Sequence, residues 1–508
     1  MSEAVVLDGV GLTPADLARI GAGAPARLYD GARARVDETV AWYRAQGLPS
    51  VLRSKWGVLV GGEAPEDDRD LVHHFVLGHC AGVGDPLPRE VVRATMAARG
   101  NVLATGATGV RSACIDVLLA MLNAGVVPEV PSQGSVGAAG DLAPLAHILR
   151  VACGWGGRAW RDGALRPAAE AMHGLPVMQP DAKEALALIN GATLTAAMAG
   201  LACTRAERLL QTAEAACALS FEVNRADLSC VDARALESRH HPGAVGVAER
   251  LRGLLHGSEL VATGRRPDPF SLRCAPAVLG AAWDALHYVR GIVCRELNGA
   301  CDNPLVFPGQ GVVEAGNFHG APVALAMDHL KVAFVQVASI AERRIFRMTY
   351  GQLSGLPSYL ARDTGLNSGL MLAQYTAASL VSECKGLAFP ASADSIPTVQ
   401  HHEDHVSMGP IAARGALAIA EALADVLAIE LICGAQGLEF HLAGEAVGRD
   451  GEVERRAPRQ AAPATRAVYD AVRVLVAPWE RDRALYPDLR AVGAAVRDGA
   501  FTSSPGPW

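Results

Sequence analysis

The 508 residues are 50% hydrophobic, 19% charged and only 5% aromatic. That composition excludes a disordered chain and allows a very large core or two to three domains. A formal net charge of −7 excludes the basic footprint expected of a nucleic-acid or anionic-membrane binder. A core filled by Ala, Leu and Val with few aromatic rings favours close-packed helices. The 11 cysteines are scattered singly, without a CxxC pair, and read as reduced, buried thiols. The opening MSEAVVLDGVGLTPADLARI lacks a basic segment followed by an apolar core, so a cytoplasmic protein is expected.

In chain order, the first 180 residues are cut by Gly and Pro at short intervals, which predicts short helices at 30–45, 67–82 and 89–103. From Asp181 the texture changes to long Ala/Leu-rich helical patterns at 183–219, 275–298, 321–349, 370–389 and 411–440. The apolar stretch 410–442 is interrupted by Arg414, Glu421, Asp425 and Glu430, which marks a helix inside a bundle and not a membrane span. The charged run 450–460 is predicted to be a surface loop, and 465–498 a final helical part ahead of a loose TSSPGPW end. Neither βαβ alternation nor an internal repeat is detectable. The expected fold is mainly α. Residues 1–195 would form a smaller mixed domain carrying a Gly-rich loop, and 196–508 a long-helix bundle with a C-terminal helical domain.

One segment stands out, Gln133-Gly134-Ser135-Val136-Gly137-Ala138-Ala139-Gly140-Asp141-Leu142-Ala143-Pro144-Leu145-Ala146-His147. Its glycines allow tight positive-φ turns, and Asp141 is placed to cap the helix that follows. On spacing alone this is a strand-to-helix turn. A phosphate cradle is disfavoured because no Gly-Lys-Ser/Thr follows.

The longer string resembles the signature of the aromatic amino acid ammonia-lyase and aminomutase family, whose best-known member is histidine ammonia-lyase. The resemblance extends to 79–88 (HCAGVGDPLP), Leu186-Ala187-Leu188-Ile189-Asn190-Gly191 and Asp268-Pro269-Phe270-Ser271-Leu272-Arg273-Cys274. It continues through Asp302-Asn303-Pro304, Gly316-Asn317-Phe318-His319-Gly320, Gly365-Leu366-Asn367-Ser368-Gly369 and Glu403-Asp404-His405-Val406-Ser407-Met408. It implies a mostly helical subunit around a long-helix bundle, and a homotetramer with active sites shared between subunits. It also implies a prosthetic group, methylidene-imidazolone, formed when an Ala-Ser-Gly tripeptide cyclises and the Ser hydroxyl leaves.

Here the matching tripeptide is Ala138-Ala139-Gly140. A methyl group cannot leave, so no such cofactor is expected. Other positions depart as well. Ser50 aligns where the family carries a catalytic Tyr, Phe270 replaces a Tyr, Pro267 replaces a Gln, and His401-His402 replace Asn-Gln. An engineered replacement at Ala139 and a native loss are both open, and the several departures together favour native loss.

The retained groups carry the expected roles. The resemblance places Arg273 on the substrate carboxylate through a bidentate fork, against the alternative of an arginine pairing an interfacial acid. Asn190 and Asn317 match positions near the prosthetic group and the carboxylate, and each is equally readable as a core amide. His79 matches the ring-recognition position and Glu403 the residue that histidine-specific members use near the imidazole. Phe270 and Ser50 complete the expected substrate-binding set. His401, His402 and His405 invite a metal reading, but none is expected, because adjacent His401 and His402 would face different helix sides. Arg53 and Lys55 belong to a solvated lid or offer a second anionic contact.

Three functions follow from these residues. The preferred one is prosthetic-group-free acid–base chemistry on an amino-acid-like or aryl-acrylate carboxylate, with His79, Glu403 and His402 as proton carriers. It would be an elimination, isomerisation, addition or cyclisation. The second is a Ser-to-Ala variant of a histidine or aromatic amino acid ammonia-lyase or aminomutase. The third is an amino-acid-binding protein without catalysis.

Overall fold

The computed structural model describes residues 3–47, 68–264, 268–447 and 453–502. They are mostly helical, with small two- and three-stranded sheets. Two compact units emerge. The first is Met1–Thr204, Val289–Asp328 and Pro390–Arg414; the second is Arg205–Tyr288, His329–Phe389 and Gly415–Trp508. The boundary at 195/196 read from composition falls inside the helix Thr193–Asn224.

In the first unit the helix Arg89–Ala104 is the spine, buried without interruption from Val91 to Ala104. Its small and β-branched residues allow close approach on every side, which is what an all-buried helix needs. The helix Pro14–Gly21 starts with a reciprocal capping box between Thr13 and Asp16, and Ala182–Ile189 with one between Asp181 and Glu184. Short sheets edge this unit: Val5–Leu7 pairs in parallel with Ala26–Leu28, and Val83–Pro86 runs antiparallel to Pro131–Gln133. The second of these pairs delivers the chain into the Gly-rich loop.

The second unit is a helical core. A fully buried polar feature within it is a two-pronged ion pair, Arg344 to Glu430 at 2.5 and 2.9 Å, with the Ser220 hydroxyl donating to Glu430 at 2.7 Å. By length and composition Ala321–Thr349 would pass for a membrane span, but 61% of its apolar window is buried, as in a core helix.

The expected helices are present, and the differences have local causes. The predicted helix 183–219 is two helices, Ala182–Ile189 and Thr193–Asn224, because Asn190 has ψ 97° and Gly191 φ 156°. The predicted C-terminal helix is broken into Pro463–Leu475 and Tyr486–Asp498. Pro478, without an N–H, lies in the break. Within 450–460, Val453–Arg455 pairs antiparallel with Glu445–Val447 as a short hairpin strand.

Candidate active site

The Gly-rich loop leaves the strand Pro131–Gln133 and is buried from Gly137 to Asp141. Two glycines are dictated by space. A Cβ on Gly140 (φ 82°) would sit 2.3 Å from the Gly191 backbone, and one on Gly137 (φ 68°) 2.3 Å from the Ser407 hydroxyl. Gly140 and Gly191 instead form a parallel backbone bridge, and the Asp141 N–H donates to the Gly191 carbonyl at 2.9 Å. The loop and the Asn190-Gly191 break are thus one structure.

Asn190 is 2% exposed and donates from Nδ2 to the Ala139 carbonyl at 2.9 Å. Its Oδ1 has no hydrogen-bond partner among the described residues. From the other side, the Ser407 hydroxyl donates to the Gly137 carbonyl at 3.0 Å and accepts from the Gly409 N–H at 3.2 Å. The Met408 N–H donates to the Val136 carbonyl at 2.8 Å, and Ala138 packs on Val406 and Met408.

Asp141 does not cap the helix Leu142–Ala152, as expected from its position; its side chain makes no bond there. Its carboxylate accepts from the Thr195 N–H at 2.8 Å and hydroxyl at 3.1 Å, and from the Ser135 hydroxyl at 3.2 Å. It caps a different helix, Thr193–Asn224, whose free N–H groups and positive end attract it. Burial pushes this carboxyl up to about 6 despite those hydrogen bonds.

Below the loop the guanidinium of Arg99, 2% exposed, gathers backbone carbonyls. It donates to Cys301 O at 2.9 Å, to Asn190 O at 3.1 Å and to Ala187 O. Its neighbour Asp302 is held by Lys183 at 2.9 Å. Desolvation drives the Cys301 thiol well above its ordinary range, so it accepts the Ala192 N–H at 3.1 Å as a neutral sulfur.

The remaining first-unit candidates sit on two other segments. His79 ends the helix Asp68–His79, half-buried. Its Nδ1 donates to the Phe75 carbonyl at 2.6 Å, and its Nε2 has no partner among the described residues. Glu403 is half-buried and accepts from the Thr398 hydroxyl at 2.6 Å. His401 and His402 are exposed. They do not share a regular helix: Val399–His401 is a turn whose residues all have positive φ. Among the described residues no group of three or more His, Cys, Asp or Glu is gathered as a metal would need. Asn317 is exposed, its Nδ2 reaching the Ala300 carbonyl at 3.4 Å, and His319 stacks on His405 with ring centroids 5.7 Å apart.

In the second unit Phe270 and Arg273 share the four-residue helix Phe270–Arg273. Phe270 is 74% exposed and Arg273 is exposed, with no ion pair to a described residue. Ser50, Arg53, Lys55 and Pro267 lie outside the described residues.

Of the residues singled out from sequence, Ala138, Ala139, Gly140 and Asn190 come together. Thr195, Ser407, Ser135 and Arg99 were missed as supports of this loop. Ser407 was visible inside a matching motif; Arg99 and Thr195 carry no sequence signal of their own.

Comparison with known proteins agrees with this architecture. The profile of the aromatic amino acid lyase family matches residues 12–474. A histidine ammonia-lyase of Symbiobacterium thermophilum is 45% identical over 445 residues, covering 86% of this chain and 85% of that protein. The crystal structure of histidine ammonia-lyase from Trypanosoma cruzi superposes with a TM-score of 0.87 at 37% identity, covering 98% of this chain and 94% of that one. A tyrosine aminomutase from Streptomyces globisporus superposes with a TM-score of 0.90 at 32% identity, covering 98% of each. The chain belongs to the aromatic amino acid lyase family.

Proposed function

We propose that the chain holds the amino-acid site of a histidine ammonia-lyase-type protein, with elimination silenced by the methyl group of Ala139. The observation that carries this reading is Asn190, anchored to the Ala139 carbonyl through Nδ2 while Oδ1 lies buried without a partner among the described residues. A buried acceptor left unpaired costs about 1–3 kcal/mol, which an N–H of a bound amino acid relieves. Within the first unit two further polar groups suit histidine: His79, whose Nε2 has no partner among the described residues, and Glu403, whose Oε1 has none there either. The relatives named histidine ammonia-lyase support the same choice.

The methylidene-imidazolone implied by the resemblance needs a leaving hydroxyl at position 139. Ala139 supplies none, so the residues do not fit the group, and no step is routed through it. The same mismatch favours a second reading, acid–base chemistry without a prosthetic group, carried by His79 and Glu403 with His402 at the exposed turn. In either case the site is taken to work in a cytoplasmic homotetramer, on a small molecule bearing a carboxylate.

Calorimetry with L-histidine, an ammonia assay and intact mass decide between them. The expected result is binding without ammonia release, and loss of two waters plus ammonia release in Ala139→Ser. Turnover of L-histidine by the unaltered chain would establish the second reading. No binding, together with no mass loss in Ala139→Ser, would overturn both.

A further inference from the structure

The segment that carries Glu403 is closed by a strained turn. Val399, Gln400 and His401 have φ of 47°, 53° and 68°, a region that a β-branched residue such as Val399 avoids. Thr398, facing Glu403, holds the turn shut. The Thr398 N–H donates to Glu403 O at 3.0 Å, and the Glu403 N–H returns to Thr398 O at 3.4 Å. The Thr398 hydroxyl then donates to Glu403 Oε2 at 2.6 Å, a charge-assisted length. Glu403 Oε1 has no partner among the described residues. A few residues on, Ser407 and Met408 grip the Gly-rich loop, so the carboxylate rides on the same short segment as the loop's clamp.

We propose that Thr398 is the positioning residue of Glu403 and thereby sets the class of side chain the site accepts. With Oε2 occupied, the carboxylate cannot swing freely, and Oε1 becomes one directed acceptor. A directed acceptor selects a nitrogen heterocycle that can donate an N–H, and it offers nothing to a plain phenyl ring. This rests on the amino-acid reading above.

The test compares L-histidine and L-phenylalanine binding by calorimetry in the full chain, in Thr398→Val and in Thr398→Ser, with crystal structures of both variants. The isosteric Thr398→Val is expected to weaken L-histidine about tenfold, the scale of one hydrogen bond to a charged group, and to leave L-phenylalanine within about twofold. Thr398→Ser restores L-histidine. Equal weakening of both ligands, or of neither, would show a merely structural residue and overturn the proposal. If the unaltered chain binds neither amino acid, the amino-acid reading fails. The crystal structures then decide on Thr398 alone. A Glu403 carboxylate turned in Thr398→Val and kept in Thr398→Ser supports the positioning role, and an unchanged carboxylate in both overturns it.

Discussion

At the scale of single residues, the loop is governed by one buried acid. Asp141 has no exposure, and its carboxyl lies at about 6 against an ordinary 3.8, with burial as the largest cause. A carboxyl whose folded value is raised binds its proton more tightly folded than unfolded. Its contribution to stability is therefore fully present below the unfolded value and is lost as pH rises through the folded one. Between about pH 4 and 6 this group makes the protein less stable as pH rises. Glu296, also raised by burial and further by Asp141, acts in the same direction. Asp141→Asn keeps an acceptor for Thr195 and removes the titration. The expected outcome is a flatter dependence of the melting temperature on pH across that window than in the unaltered chain. An unchanged slope would assign the effect to Glu296 or elsewhere.

At the scale of elements, the helices were legible because their boundaries are written locally. Asp30–Ala45 and Ala321–Thr349 follow the periodicity to the residue. The broken helices were harder. Asn190-Gly191 reads as a mild interruption of an apolar run, and only the close approach of Gly140 to Gly191 shows why the break must be there. The site divides in the same way. Ala138, Ala139, Gly140 and Asn190 are legible as a loop and its partner segment. Ser407 and Thr195 act across long stretches of chain on the loop, a relation that periodicity cannot carry. Asp141 shows the cost of local reasoning, since its sequence neighbour is one helix and its spatial neighbour another.

The second unit has an element-scale device of its own. Arg344 and Glu430 are both fully buried, and their pairing joins Ala321–Thr349 to Gly409–Ala443. Removing one partner leaves the other charge without compensation. Arg344→Met should cost about 3–5 kcal/mol in denaturant unfolding, and Arg344→Met with Glu430→Leu should recover most of it. A double variant no better than the single would mean that the packing of Arg344, and not its charge, sustains the pair.

At the scale of the whole molecule, the apolar residues left outside matter most. On Met371–Leu387 the side chains of Leu372, Tyr375 and Leu387 are 54%, 62% and 43% exposed, and on Ala321–Thr349 those of Leu325 and Val332 are 59% and 47% exposed. Long helices normally hide such stripes, and large exposed apolar patches mark surfaces covered by another molecule. The occupant expected here is another copy of this chain, since a closed homo-oligomer covers the same stripe on every subunit at once. Sedimentation should give a particle of four times the 52.9 kDa of one chain. Leu372→Glu with Tyr375→Glu should shift it to smaller species. Both side chains point outward, so helix content by circular dichroism should be unchanged. A monomer in the unaltered chain would leave these stripes for a different partner, and a tetramer that survives both charges would place the interface on another face.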